Sequence, residues 1–80
     1  MTNYIATFHT HLSAMRTQRA LAADGVVARL APVPRKLSAS CGTCVRYSAD
    51  DPHCSCLDAD YEKLVELLDE STYTLLSENI

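Results

Sequence analysis

Long apolar runs, surplus positive charge and enzyme signatures are all missing from this sequence. No apolar tract approaches the roughly 20 residues that span a bilayer, and no basic stretch followed by an apolar run opens the chain. We therefore expect no signal peptide and a cytoplasmic location. The net charge of −3 argues against broad nucleic-acid binding, which depends on a basic surface. No phosphate-binding loop, Ser/His/Asp arrangement or paired acid site stands out, so we expect a non-enzymatic protein.

The composition is that of one small globular domain spanning residues 1–80. Hydrophobic residues make up 48% of the chain and charged residues 21%, as in folded globular proteins. A chain of this length buries a modest core and often gains stability from a partner, a metal or a disulfide. All basic residues except Lys63 lie in the first 46 positions, whereas most acidic residues lie from Asp50 onward. The middle of the chain is therefore expected to be locally basic.

Residue patterns predict six secondary-structure elements in the order β-α-β-β-α-β. The first helix, residues 11–24, is expected to begin after an N-cap at Thr10 and to end at Gly25. Four strands are predicted at residues 4–8, 26–31, 43–47 and 72–76. The second helix, residues 58–69, is predicted from an apolar stripe at helical spacing, formed by Leu57, Tyr61, Leu64, Val65 and Leu68.

This element order predicts an α+β fold of the ferredoxin-like, split β-α-β type, with both helices on one face of an antiparallel sheet. Right-handed crossovers put the third strand beside the first, running the opposite way. The end of the first strand, the start of the first helix and the start of the third strand would then meet at one edge. Within the third strand, Val45 and Tyr47 should face one side, and Cys44 and Arg46 the other.

The four cysteines, Cys41, Cys44, Cys54 and Cys56, are the most informative residues. Glutathione keeps structural disulfides rare in the cytosol, so four cysteines in 80 residues suggest chemistry or metal binding. In one interpretation Cys41 is a nucleophilic thiolate and Cys44 a second carrier or resolving thiol. The start of the first helix, with His9 nearby, would favour the thiolate form of Cys41.

Two alternatives remain open from spacing alone. All four sulfurs could bind Zn²⁺ tetrahedrally in a small interaction or regulatory module. The predicted third strand spans roughly 16 Å, however, so the two cysteine pairs start from opposite edges of the sheet. The other alternative is that the cysteines are ordinary packing residues.

The segment 32–42, which ends in Ser40-Cys41-Gly42, resembles the Se/S carrier protein-like family. Other features also fit the family pattern. They are the turn at Thr7-Phe8, the helix end at Asp24-Gly25-Val26, and Arg46 in the strand that follows the Ser-Cys-Gly turn. The resemblance implies a thiol carrier that takes up sulfur or selenium as a persulfide or perselenide. It assigns the carrier role to Cys41, whereas Cys44, Cys54 and Cys56 lie outside the minimal motif.

The leading hypothesis is therefore a cytoplasmic sulfur or selenium carrier acting through Cys41 and Cys44. Its expected partners are a donor enzyme such as a cysteine desulfurase and an acceptor protein, with no nucleic acid or membrane involved. The supporting residues are Ser40, Gly42, His9 and Arg46. No cofactor is required, and zinc enters only in the four-cysteine alternative. A homodimer formed through the open sheet face is a further, weaker alternative.

Overall fold

The computed structural model describes residues 1–37, 42–69 and 72–79. The elements, in chain order, are β1 (Thr2–Phe8), α1 (His11–Ala23), β2 (Val27–Pro32), β3 (Thr43–Ala49), a 3₁₀ turn (Cys54–Cys56), β4 (Tyr61–Leu67) and β5 (Tyr73–Glu78).

The five strands form one sheet in the order β2-β3-β1-β4-β5, and every neighbouring pair is antiparallel. Because β2 and β1 both run antiparallel to β3, they are parallel to each other and α1 is the crossover between them. β3 thus lies beside β1 in the opposite direction, as the sequence predicts. The helix packs over β1, β2 and β3.

α1 begins at the predicted residue and ends one residue before the predicted end, because local groups satisfy its ends. The hydroxyl oxygen of Thr10 accepts a hydrogen bond from the Ser13 amide at 3.2 Å, which is a standard N-cap. Asp24 is the C-cap, and Gly25 follows with a φ of +82°, a left-handed conformation that suits glycine. Within the described ranges, no helix has both the length and the apolar character needed to cross a membrane.

The predicted second helix is wrong, because residues 61–67 form the strand β4. β4 pairs with β1 on one side and with β5 on the other. The protein is therefore not a ferredoxin-like βαββαβ fold with two helices. Over the residues that the structure describes, it is a mostly β structure, in which one helix covers part of a five-stranded antiparallel sheet.

A β-bulge explains the misleading helical spacing in β4. The pairing of β1 with β4 shifts beside Phe8, which pairs with Tyr61 and leaves Glu62 as the extra residue. The bulge allows Tyr61 and Leu64, three positions apart, to pack in the same cluster on the helix side. Val65 packs on the other face, which is also covered. A bulged strand buried on both faces thus shows the same apolar spacing as an amphipathic helix.

The core has one cluster on each face of the sheet. On the face that α1 covers, the helix-side face, the buried residues are Tyr4, Ala6, Phe8, Ala14, Leu21, Val26, Val45, Tyr47, Ala49 and Leu64. On the opposite, helix-free face, Ile5, Cys44 and Val65 are buried, and Val33 and Leu37 pack against them. Cys44 and Val45 therefore point to opposite faces, as the strand alternation predicts.

Candidate functional site

The end of β1, the start of α1 and the start of β3 meet at one edge, which we call the helix-start corner. Thr7 pairs with Cys44 across β1 and β3, and His11 Nδ1 lies 3.3 Å from Thr43 Oγ1. The predicted convergence of the end of β1 with the starts of α1 and β3 is confirmed. Thr43 is two positions after Cys41 in the sequence, and the predicted site residues Ser40 and Cys41 themselves lie outside the described residues.

Gly42 is the described residue that joins the Ser-Cys-Gly motif to β3. Its φ is +72°, in the left-handed region where a side chain would be strained. Its carbonyl oxygen accepts a hydrogen bond of 3.0 Å from the amide of Val33. This bond extends the β2–β3 pairing by one residue pair beyond Pro32 and Thr43.

An acidic side chain already occupies the start of α1. Asp60 Oδ2 accepts hydrogen bonds from the hydroxyls of Thr10 at 3.2 Å and Ser13 at 2.8 Å. The unpaired amides at a helix start carry about half a positive charge, which favours anions. The Asp60 carboxylate offsets part of this charge, so the helix start is less positive than the sequence alone suggests.

The two histidines of the helix-start corner have different neighbours. His9 is exposed, and its Nδ1 lies 3.9 Å from the carboxylate of Glu62 on the β4 side of β1. His11 faces β3, where it contacts Thr43. His9 was the predicted supporting histidine, whereas the histidine that contacts the start of β3, next to the Ser-Cys-Gly motif, is His11. The position of His11 in the first turn of the predicted helix is the sequence feature that indicates this contact.

Cys44 is fully buried, unlike a typical carrier thiol. Its side chain is 0% exposed, and Sγ donates a weak hydrogen bond to the Pro32 carbonyl at 3.6 Å. Val33 and Leu37 pack over the cluster that contains it. A thiol held in apolar packing is inert until the packing opens.

Arg46, another predicted supporting residue, lies three residues along β3 from Thr43, a separation of about 10 Å. It pairs directly with Arg29 on β2. Both arginines line a cleft of ≈ 260 Å³ together with Asn3 and Ser48. Arg46 therefore belongs to the helix-free face and its cleft, away from the helix-start corner.

The remaining cysteines lie on the 3₁₀ turn and do not join Cys44. Cys54 is exposed, whereas Cys56 is half-buried and packs against the helix-side cluster. Since Cys44 belongs to the cluster on the opposite face, the sheet separates its sulfur from that of Cys56. Among the described cysteines, a shared tetrahedral sulfur site is therefore not assembled.

Cys56 instead lies beside Asp24 and His53, a grouping that no sequence pattern predicts. Asp24 stood out only as the helix end and His53 only as a loop residue. Their proximity depends on the path of the loop after β3, which no local pattern encodes.

Comparison with known proteins identifies one relationship. A search of curated proteins and a search of solved structures each found no match to this chain. A family model described as "Putative Se/S carrier protein-like" matches residues 3–74, from β1 into β5. The match includes the Ser40-Cys41-Gly42 motif and covers nearly the whole chain. The chain therefore belongs to the Se/S carrier protein-like family.

Proposed function

We propose that the protein carries sulfur or selenium as a persulfide or perselenide on Cys41. The observation that carries this proposal is the family match across residues 3–74, which includes position 41. The contact between His11 and Thr43 supports it, because it ties the chain two residues after Cys41 to the first turn of α1.

The local charges favour a thiolate at position 41. Arg35 and Lys36 are exposed on the connection that leads to Cys41, and His11 adds a further nitrogen near the strand start. Positive neighbours and a helix start both lower the pKa of a thiol. Asp60 works against them, so the balance between Asp60 and these basic groups sets the reactivity of Cys41.

The carrier cycle needs no outside oxidant. The Cys41 thiolate attacks the outer sulfur of a donor persulfide, the sulfur–sulfur bond of the donor breaks, and the donor leaves as a thiolate. A nucleophile of the acceptor protein then attacks the outer sulfur on Cys41 and restores the Cys41 thiolate. A cysteine desulfurase is a donor of the required chemistry.

Direct transfer to the acceptor is the main route, because Cys44 is buried. In the alternative route, the Cys44 thiolate attacks the inner sulfur, forms a Cys41–Cys44 disulfide and expels hydrosulfide. That route needs the packing of Val33 and Leu37 to open and a cellular dithiol to reduce the disulfide afterwards.

Loading by a cysteine desulfurase with cysteine tests the proposal. Intact-protein and peptide mass spectrometry should find one added sulfur atom per chain on Cys41. The Cys41→Ser variant should lose this increment, whereas Cys54→Ser, which removes an exposed thiol elsewhere, should retain it. The carrier proposal fails if the increment persists in Cys41→Ser, or if no increment forms while the donor enzyme itself is loaded.

A further inference from the structure

Three different metal-ligand side chains meet at the end of α1 that is remote from the helix-start corner. Asp24 Oδ2 lies 2.9 Å from His53 Nδ1 and 3.9 Å from Cys56 Sγ. All three ligand atoms lie within 4.8 Å of one another. A carboxylate, an imidazole and a thiolate are the three side-chain types that bind Zn²⁺ in proteins.

The spacing of these atoms is close to that of a zinc coordination shell. Tetrahedral Zn²⁺ with ordinary bond lengths separates an oxygen from a nitrogen ligand by about 3.3 Å, and an oxygen from a sulfur ligand by about 3.6 Å. The corresponding separations here are 2.9 Å and 3.9 Å. The third pair, His53 Nδ1 and Cys56 Sγ, lies within 4.8 Å, whereas a bound ion would hold these atoms about 3.6 Å apart. Shifts of a few tenths of an ångström for the two Asp24 pairs, and of up to about 1 Å for the His53–Cys56 pair, would therefore admit the ion.

Backbone and side-chain contacts hold the three ligands in place. Asp24 is the C-cap of α1, and its amide bonds to the carbonyl of Leu21 at 3.0 Å. The phenol of Tyr47 donates to the Pro52 carbonyl at 2.5 Å and fixes the loop just before His53. His53 has a φ of +51°, which makes it the one non-glycine residue with a left-handed backbone among those described. Such a conformation is uncommon for a non-glycine residue and often marks a functional position.

The second nitrogen of His53 faces a carboxylate at a distance slightly longer than a hydrogen bond. His53 Nε2 lies 3.6 Å from Asp51 Oδ1, and the same oxygen accepts a hydrogen bond of 2.8 Å from the His53 amide. A metal-bound histidine commonly donates its other N–H to a carboxylate, which fixes the ring orientation and its tautomer. Asp51 is therefore positioned as the outer partner of a metal-binding His53.

The surroundings are negatively charged and open on one side. Asp24, Asp50, Asp51 and His53 line a cleft of ≈ 380 Å³, and no lysine or arginine is among its described lining residues. Burial and the Asp24 carboxylate raise the pKa of the Cys56 thiol, as expected for a sulfur beside a carboxylate. The cleft would give a water molecule access to a fourth coordination position.

We infer that Asp24, His53 and Cys56 bind one Zn²⁺ ion per chain, with Asp51 orienting His53 and a water completing the tetrahedron. The ion would tie the end of α1 to the loop between β3 and β4. This site does not depend on the proposed carrier function. It lies at the opposite end of a 13-residue helix from His11 and Thr43, a distance of about 20 Å.

Cobalt(II) substitution tests the ligand set, because a thiolate bound to Co²⁺ gives a charge-transfer band in the near ultraviolet. Co²⁺ titration of the full chain should give this band at one ion per chain, and Zn²⁺ should displace it. Cys56→Ser should abolish the band and weaken Zn²⁺ binding at least about a hundredfold. Asp51→Asn keeps all three ligands and should weaken binding about tenfold or more, as loss of an outer partner does.

Two cysteine variants serve as matched controls. Cys54→Ser removes an exposed thiol from the same 3₁₀ turn, and Cys41→Ser removes the proposed carrier thiol. Both variants should keep the Co²⁺ charge-transfer band and the Zn²⁺ affinity of the unmodified chain. The inference is overturned if Co²⁺ binds without a thiolate band, if the band survives in Cys56→Ser, or if it vanishes in Cys54→Ser or Cys41→Ser.

A measurement on the unmodified chain avoids the question of whether a variant folds. Bound Zn²⁺ should slow iodoacetamide alkylation of Cys56 at least about tenfold while Cys54 still reacts at its metal-free rate. Equal rates at Cys56 with and without Zn²⁺ would leave the 2.9 Å contact as an ordinary His–Asp ion pair and overturn the metal site. A failed sulfur-loading experiment would not affect this result, since that experiment depends on Cys41.

Discussion

His11 Nδ1 lies 3.3 Å from Thr43 Oγ1 and connects the first turn of α1 to the first residue of β3. Thr43 lies two residues after Cys41, the proposed carrier thiol, in the sequence. Replacement of His11 therefore tests the electrostatic side of the carrier proposal.

We expect His11→Ala to slow alkylation of Cys41 by iodoacetamide about two- to fivefold near pH 6. The substitution removes a nitrogen that can carry positive charge beside the start of β3. Interactions of a charged group with charges at a helix end are worth about 0.3–1 kcal/mol. Peptide mass spectrometry gives the rate for each cysteine separately. His9→Ala is the matched control, because His9 interacts with Glu62 on the other side of β1 and should leave the rate unchanged. Equal rates in both variants would remove His11 from the proposed site.

Asp60→Asn should have the opposite effect on Cys41. The change removes the negative charge that lies at the start of α1, so alkylation of Cys41 should accelerate about two- to fivefold. The same variant weakens the hydrogen bonds from Thr10 and Ser13, and we expect it to lower the free energy of unfolding by about 1 kcal/mol. Urea denaturation and alkylation rates below the transition measure the two effects independently. A slower reaction at Cys41 would contradict this account of the helix-start charge.

The first half of the fold could be predicted because its signals are local. Thr10 caps α1 through its own side chain, and Gly25 ends the helix through its own backbone conformation. The buried face of α1 was less accessible from sequence, because Ser13 and Thr17 lie in it. Both are polar, and each bonds to the segment before β4: Ser13 to Asp60 and Thr17 to the Asp58 amide.

The second half could not be predicted because its signals are non-local. The bulge at Glu62 depends on pairing with β1, more than 50 residues away in sequence, and it gives Tyr61 and Leu64 a helical spacing. The candidate sites also depend on contacts between residues that are far apart in the sequence. The sequence singles out Cys56 only as one of four cysteines, and its contact with Asp24 and His53 follows only from the folded loop.

Cys44 should resist alkylation in the native protein far more than Cys54. Cys44 is 0% exposed under Val33 and Leu37, whereas Cys54 is exposed, so we expect a rate ratio of at least about 100 without denaturant. Urea at concentrations that unfold the chain should bring the two rates together. Comparable native rates would mean that the helix-free face opens readily, and the disulfide route of release would then become the better explanation.

Arg29→Glu should stabilise the sheet. Arg29 and Arg46 are directly paired across β2 and β3, and like charges in that position are destabilising. Reversal of one charge should raise the free energy of unfolding by about 0.5–1 kcal/mol at low salt, and by less in 0.5 M salt, where exposed charges are screened. Urea titrations at both salt concentrations measure this gain. Arg16→Glu, an exposed change on α1, is the control, and an equal gain there would show only an effect of net charge.

Bound Zn²⁺ should give stability a pH dependence opposite in sign to the one that Cys56 gives to the metal-free protein. In the metal-free protein, burial and the nearby Asp24 and Asp51 carboxylates raise the pKa of the Cys56 thiol above its ordinary value of 9.0. The folded state then holds this proton more tightly than the unfolded state. The contribution of Cys56 is therefore fully present below pH 9.0 and is lost as the pH rises through the folded pKa.

Bound Zn²⁺ displaces that proton, so the stabilisation by metal should grow as the pH rises from 6 to 8. At a free Zn²⁺ concentration of about 100 Kd, the expected gain is about 2.7 kcal/mol, or about 10 °C or more in Tm for a domain of this size. Thermal unfolding with and without Zn²⁺ at pH 6 and pH 8 measures the metal-dependent gain in Tm and its growth with pH. Cys56→Ser should lose the metal-dependent rise at both pH values, whereas Cys54→Ser should keep it. A Zn²⁺ effect that is the same in these two variants would mean that the ion acts at some other position on the chain.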